Sequence, residues 1–272
     1  MNIGNKTFNL SGTTPIVMGI LNVTPDSFSD GGRYNSIDAA VRHAQKLAEE
    51  GADIIDIGAE STRPGHTQIS VDEECTRLLP ILKALKDTID LPLSVDTYRS
   101  ETAQAALNAG ADMINDIWGL TADANMASVV AASGCPICIM HNRPDTDYND
   151  FLADWLQDMK DRIVLAHTAG IRDEQIILDP GIGFAKSFDW DVTCMHHLSD
   201  LCALGYPVLL GLSRKRMIGN LSGLPVDQRD EATAAADLYG YLGGARIFRV
   251  HNVQLARRTL DTFVRLEANQ HG

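Results

Sequence analysis

The sequence has no excess of positive charge and no basic run: 23 lysines and arginines face 36 acidic residues, for a formal net charge of −13. Such a chain repels nucleic acid and anionic membrane, so neither is expected as a partner. No apolar stretch reaches the roughly 18 residues that suggest a membrane span. The opening Met1-Asn2-Ile3-Gly4-Asn5-Lys6 lacks the apolar core of a secretory signal, so a cytoplasmic location is expected. Paired cysteines are missing too. Cys75, Cys135, Cys138, Cys194 and Cys202 form an odd, scattered set, unlike the disulfide framework of a small secreted domain. Cys135 and Cys138 match C-x-x-C but open the apolar run Cys135 to Met140, which reads as a strand. Residues i and i+3 of a strand point to opposite faces, which disfavours a shared metal. No Gly-x-Ser-x-Gly elbow and no His-Glu-x-x-His occurs, which removes the hydrolase and zinc-protease readings. His196 and His197 fall together on an outer helix, where adjacent side chains diverge by about 100° and cannot share a ligand.

What the chain does have is an ordinary soluble balance, 44% hydrophobic and 22% charged over 272 residues, enough for a sizeable core. Short apolar, β-branched runs alternate with longer amphipathic segments. The strand runs are Ile16 to Leu21, Ile54 to Gly58, Leu93 to Asp96, Met113 to Ile117, Pro136 to Met140, Ile176 to Asp179, Val208 to Leu212 and Ile247 to Val250. Ser70 and Glu73 have capping-box spacing, and Cys75, Leu78, Leu79, Leu82 and Leu85 then share one helical face. Val41, Ala44, Leu47 and Ala48 do the same in the helix before. Three helices end on near-identical phrases, Gly51-Ala52-Asp53, Gly110-Ala111-Asp112 and Gly244-Ala245-Arg246. The repeat predicts one α/β domain over residues 1–272, a (β/α)8 TIM barrel. A doubly wound sheet is the rival. Its only trace of a dinucleotide fingerprint, Gly181-Ile-Gly183-Phe-Ala-Lys186, lacks the third glycine and follows the sixth strand. Two connections are long, Asn22 to Asn35 and Ala59 to Ile69, and rich in Gly, Ser, Thr, Asp and Pro; both are read as lid loops on the catalytic face.

Polar residues gather at the C-terminal ends of the strands: Asn22; Glu60 with Thr62 and Arg63; Asp96; Asn115 with Asp116; His141; Asp179; Ser213 with Lys215; Arg249 with His251. Any one of them has a plain alternative, a helix cap for Asp96 or Asp179 and a solvated charge for Lys215. Their convergence on one face points to a site centred on Asp96, Asn115, Asp179 and Lys215. Carboxylates and an amide accept from a nitrogen-rich heterocycle, and Lys215 donates to its carbonyl or ring nitrogen. Arg249 and His251 add cationic donors where barrels often hold phosphate, with a salt bridge as the equal alternative for Arg249. Asn22 offers Mg²⁺ a hard oxygen, although an Asn after a strand more often makes a turn. Asp56 lies inside its strand and reads as part of a polar network within the barrel.

Met18-Gly-Ile-Leu-Asn22-Val-Thr-Pro-Asp-Ser-Phe-Ser-Asp-Gly-Gly32 resembles the first signature of the dihydropteroate synthase family, and Glu60-Ser-Thr-Arg-Pro-Gly65 resembles its second loop. Ser94-Val-Asp-Thr97, Ile114-Asn-Asp-Ile117, Asp179-Pro-Gly-Ile-Gly-Phe184, Ser213-Arg-Lys215 and Arg249-Val-His251 are similar to its remaining motifs, in the same order. The resemblance implies a TIM-barrel transferase of folate synthesis that joins a dihydropterin-methyl diphosphate to p-aminobenzoate and releases pyrophosphate. It further implies Mg²⁺ on Asn22, a homodimer and a sulfonamide target. By the same resemblance Asp96, Asn115, Asp179 and Lys215 hold the pterin, while Asn22, Thr62, Arg249 and His251 engage the diphosphate. Asp30 and Arg63 close over the site. Pro64, Phe184, Ser213 and Lys215 line the aminobenzoate pocket, with Arg216 beside it.

Some positions depart from the family pattern. Arg216 stands where many members have Ser, and either pairs with the aminobenzoate carboxylate or points to solvent. His141-Asn142-Arg143-Pro144 differs from the usual start of that loop, and Ala59 and Ala185 replace glycines. Two alternatives accompany the synthase reading: a pterin-dependent methyltransferase, which has no diphosphate to bind, and a non-catalytic pterin-binding paralogue.

Overall fold

The structure, a computed structural model, describes residues 1–24, 32–60 and 68–268, with backbone only at 32–36. Eight parallel strands form one sheet: β1 (Ile16–Asn22), β2 (Ile54–Gly58), β3 (Leu93–Asp96), β4 (Met113–Asp116), β5 (Ile137–Met140), β6 (Ile176–Asp179), β7 (Leu209–Leu210) and β8 (Ile247–Val250). Each of β1 to β5 pairs with the next, β8 lies between β1 and β7, and an isolated bridge from Leu178 to Val208 joins β6 to the run that leads into β7 and closes the barrel. The expected (β/α)8 architecture is therefore present.

Around the barrel run α1 (Gly32–Glu49), α2 (Val71–Lys86), α3 (Ser100–Asn108), α4 (Met126–Ser133), α5 (Phe151–Thr168), α6 (Phe188–His196), α7 (Leu198–Cys202), α8 (Arg216–Ser222), α9 (Asp230–Leu242) and α10 (Val253–Ala268). Alternation along the strands divides the core into two parts. Val17, Ile55, Val95, Ile139, Leu178 and Phe248 face outward and pack under the helices. Ile16, Met18, Ile54, Met113, Cys138, Ile177, Leu209 and Ile247 face inward and fill the lumen.

Local chemistry sets most boundaries. Gly51, Gly110 and Gly244 take φ of +97°, +101° and +106°. In each case the following N–H reaches back five residues, Ala52 to Leu47, Ala111 to Ala106 and Ala245 to Gly240, at 2.9 to 3.0 Å. This is a Schellman ending, which L-residues with a Cβ adopt at a cost. Ser70 caps α2 by accepting from the Glu73 N–H, but the Glu73 side chain pairs with Arg77 instead of returning to the cap.

Several elements differ from the sequence expectation. The fourth strand stops at Asp116 because that carboxylate accepts the N–H groups of Trp118 (2.8 Å) and Leu120 (2.7 Å), which turns the chain. The seventh strand keeps only Leu209–Leu210, between Pro207, which has no N–H, and Gly211. The outer helix breaks at His197, whose ring bonds Asp200 at 2.8 Å. Helix α1 already begins at Gly32, inside the segment read as a loop to Asn35. An antiparallel hairpin, Asn2–Ile3 with Lys6–Thr7, precedes the barrel and places Ile3 in the lumen as a plug at the N-terminal ends of the strands. Two-residue strands carry no readable periodicity. The remaining parts of both predicted lids, 25–31 and 61–67, lie outside the described residues, and so do Asp30, Thr62, Arg63 and Pro64.

Candidate active site

The inward face changes character one step along the strands. Two residues beyond lumen residues Ile54, Met113, Ile177, Leu209 and Ile247 stand Asp56, Asn115, Asp179, Gly211 and Arg249, on the same face by alternation. On β3 the inward residues are Ser94 and Asp96. An apolar plug thus supports a polar cup at the C-terminal ends of the strands.

Register places Asn22, Gly58, Asp96 and Asn115 side by side across β1 to β4. At the centre of the cup, Arg249 donates through Nε to Asp56 (2.6 Å) and through Nη2 to Asp96 (2.9 Å). Asn115 donates to the same Asp56 oxygen at 3.1 Å. The other oxygens of Asp56 and Asp96 are buried without a hydrogen-bond partner among the described residues. The equal alternatives for Arg249 thus resolve, without a guest, to the salt bridge, while Asp56 is the network member expected. Two glycines keep the space open. A Cβ on Gly211 would lie 3.8 Å from Asp179 Oδ2 and 3.9 Å from Lys215 Nζ, and one on Gly58 would lie 3.7 Å from Asn22 Oδ1 and 3.8 Å from Asp96 Oδ2. Asn22, Asp96, Asn115, Asp179, Lys215 and Arg249 therefore surround one small volume.

The electrostatics follow from burial. Desolvation pushes the Asp96 carboxyl up to about 7, against the pull of Arg249 and with help from Asp56. Asp179 is also raised by burial, opposed by Lys215 and by the Gly181 N–H that it accepts at 2.7 Å. Lys215 is lowered by burial, opposed chiefly by Asp179. Burial works against the Arg249 charge too, but Asp56 and Asp96 outweigh it and hold the guanidinium charged.

The second half of the site lies on the loops after β6 and β7. Lys215 donates to the Ile182 carbonyl at 2.7 Å and stands 4.9 Å above the Phe184 ring. Ser213 Oγ accepts the His251 N–H (3.1 Å) and meets His251 Nδ1 (2.9 Å), so it orients the imidazole. Arg216 is exposed and donates to the Lys186 carbonyl at 3.2 Å. Arg214 takes φ of +59° and forms a fork with Asp230 at 2.7 and 2.8 Å, which fixes this loop on α9. Lys186 and the role of His141 behind it escaped the sequence reading. The only available signal was a lysine inside a run whose other residues belong to a glycine-rich turn.

No group of three or more His, Cys, Asp or Glu that suits a metal occurs among the described residues. Asn22 supplies one exposed amide oxygen at the mouth of the cup. That donor set fits Mg²⁺ carried mostly by substrate phosphates and water, not a cage built by protein alone.

A cup lined this way on a TIM barrel suits a small polar guest. The family model described as pterin binding enzyme matches residues 18–251, so the class is that of pterin-binding barrel enzymes. The dihydropteroate synthase of Clostridium beijerinckii is 49% identical over 269 residues, covering 97% of this chain and 100% of the relative. A dihydropteroate synthase structure from Xanthomonas albilineans with 4-aminobenzoic acid superposes with a TM-score of 0.90 at 45% identity, covering 94% of each chain. A second structure of that enzyme, in complex with 7,8-dihydropteroate, gives 0.87 at 42% identity over 96% of each chain. This chain belongs to the dihydropteroate synthase family.

Proposed function

We propose that this protein transfers the dihydropterin-methyl group from its diphosphate to the amine of p-aminobenzoate. The carbon–oxygen bond to diphosphate breaks, a carbon–nitrogen bond forms, and the proton from the arylamine leaves with solvent. Pyrophosphate departs with the bonding electron pair. One observation carries the reading: among the described residues, Asp56, Asp96 and Asp179 face Arg249 and Lys215 in the cup, which above neutral pH, with Asp96 ionised, is an excess of one formal negative charge in a buried volume. Such a pocket favours a guest that becomes cationic, as the pterin methylene does when its leaving group departs. The 4-aminobenzoic acid and 7,8-dihydropteroate of the two Xanthomonas albilineans structures are a substrate and the product of this reaction.

In this scheme Asp96, Asn115 and Asp179 accept from the pterin N–H groups, and Lys215 donates to it. His251, with its ring oriented by Ser213, and the Arg249 guanidinium meet the diphosphate, joined by Thr62. Pro64, Phe184, Lys215, Ser213 and Arg216 surround the aminobenzoate, over which Asp30 and Arg63 close. Asn22 holds Mg²⁺, which when bound neutralises charge on the departing pyrophosphate. The arylamine attacks in its neutral form, so no strong general base is needed. A sulfonamide, which presents the same arylamine, competes for the aminobenzoate position. Two copies associate through the face that exposes Tyr239, Leu242 and Leu266 on α9 and α10.

The test mixes the protein with dihydropterin-methyl diphosphate, p-aminobenzoate and Mg²⁺, and follows pyrophosphate and dihydropteroate. Both products are expected, with loss of Mg²⁺ lowering the rate. Pterin binding with neither product refutes the transferase reading. Asp96→Ala is expected to abolish pterin binding, measured by titration calorimetry.

A further inference from the structure

Behind the pocket lies a buried ionic chain that the reaction scheme does not use. Lys186 is 5% exposed and His141 is 0% exposed. The Lys186 ammonium meets three acceptors: His141 Nδ1 at 2.8 Å, the Gly181 carbonyl at 3.0 Å and the Phe184 carbonyl at 3.1 Å. An ammonium has three N–H donors and no lone pair, so these contacts use all of it. His141 then accepts at Nδ1 and carries its proton on Nε2, which bonds Asp158 at 2.9 Å. Arg143 completes the chain with a fork onto Asp158 at 2.6 and 3.0 Å. Donation runs from the ammonium through the neutral imidazole to the carboxylate, which Arg143 meets from the other side.

The carbonyls that Lys186 holds belong to the turn that carries Ile182 and Phe184. Ile182 receives Lys215, the Phe184 ring lies beneath Lys215, and the Lys186 carbonyl itself receives Arg216. Ala185, between Phe184 and Lys186, sits at φ +46°, a region that costs a residue with a Cβ about 1 to 2 kcal/mol. Its carbonyl is held by the Tyr148 hydroxyl at 2.9 Å. The turn is therefore strained and pinned from behind at consecutive positions. We infer that Lys186, supported by His141 and Asp158, is a positioning residue for the aminobenzoate end of the site. It sets Phe184, Lys215 and Arg216 without touching the substrate. This inference rests on the transferase reading above.

Alkaline pH offers a probe that needs no variant. The groups facing Lys186 are His141, with Asp158 and Arg162 behind it; Asp179 from β6; Asp191 and Cys194 from α6; and Lys215 from the loop after β7. Burial, only partly offset by these neighbours, brings the Lys186 amine down to about 8. Above that pH the amine keeps two N–H groups for three acceptors, and the turn loosens.

The experiment compares wild type with Lys186→Met in steady-state assays and in pterin titrations. Lys186→Met is expected to raise the aminobenzoate KM about tenfold while pterin affinity stays within about twofold. In wild type the aminobenzoate KM is expected to climb as pH passes from about 7 to about 9. Asp158→Asn is expected to give a smaller rise in the same direction. An unchanged aminobenzoate KM in the lysine variant, or an equal loss of pterin affinity, overturns the inference. Should that variant not fold, a flat aminobenzoate KM in wild type over the same pH range overturns it alone. Wild-type protein that forms no dihydropteroate overturns the reaction and this inference together, whereas normal wild-type turnover with an unaltered variant overturns the inference only.

Discussion

Two residues in the cup show how one position serves either guest or fold. Asp96 keeps one buried oxygen without a partner and the other on Arg249. Its carboxyl, raised to about 7 by burial, is protonated in much of the free protein below neutrality. A pterin N–H needs the carboxylate as acceptor, so kcat/KM for the pterin diphosphate is expected to fall about tenfold per unit as pH drops below 7. A flat profile between about pH 5 and 8 contradicts this assignment. Gly211 falls near the end of the seventh strand run and Gly181 in the glycine-rich turn after the sixth, and they differ in space as well. A Cβ on Gly211 meets only ordinary contacts, at 3.8 Å or more, whereas a Cβ on Gly181 would lie 1.8 Å from the His141 carbonyl oxygen, at φ +69°. Gly211→Val is therefore expected to leave the melting temperature nearly unchanged and weaken pterin binding by about tenfold or more. Gly181→Ala is expected to impair folding itself. Thermal melts beside pterin titrations separate the two.

The elements were legible where a local rule acts alone. Six of the eight strands begin where their apolar runs begin, because a β-branched run bounded by turn residues has few other fates. The three Gly-Ala phrases name helix ends because φ near +100° selects glycine. A fourth ending of the same kind, Gly170-Ile171, with φ +94° and the Ile171 N–H on Ala166 at 3.0 Å, lacks the alanine and was not seen as a repeat. Contacts between elements were not legible. Glu74 lies in the acidic first turn of α2, beside Asp72 and Glu73, and looks like one more surface charge, but it is 1% exposed. Its partner is Arg99 at the start of α3, which also pairs with Glu60 after β2 and donates to the Ile69 carbonyl at 2.9 Å. One guanidinium thus joins β2, α2 and α3, a relation that no spacing within one element encodes. Lys186 with His141 is the same kind of contact, across 45 residues. Removing Arg99 leaves two buried carboxylates without their guanidinium, so Arg99→Met is expected to cost about 3 to 5 kcal/mol in urea unfolding. A loss under about 1 kcal/mol makes the cluster solvated instead of structural.

Across the whole molecule, the plug and cup divide stability from function along one axis, with apolar lumen residues toward the N-terminal ends of the strands and ionisable groups toward the C-terminal ends. Asp237 breaks that division. It lies on α9, outside the cup, is 0% exposed, and neither carboxyl oxygen has a hydrogen-bond partner among the described residues. Burial alone raises its carboxyl well above the ordinary value. At a pH below the ordinary carboxyl range, Asp237 is protonated in both folded and unfolded chains and costs nothing through ionisation. As pH rises, the unfolded chain ionises first, while the folded chain holds the proton. Stability from this group is therefore lost as pH climbs from the unfolded value toward the folded one, by up to about 1.4 kcal/mol per unit. Asp237→Asn preserves shape and removes the titration. The variant is expected to match wild type near pH 4 and to exceed it increasingly toward pH 7, read as urea midpoints across that range. Parallel stability curves for the two proteins would mean that the folded state carries Asp237 ionised, with a compensating partner.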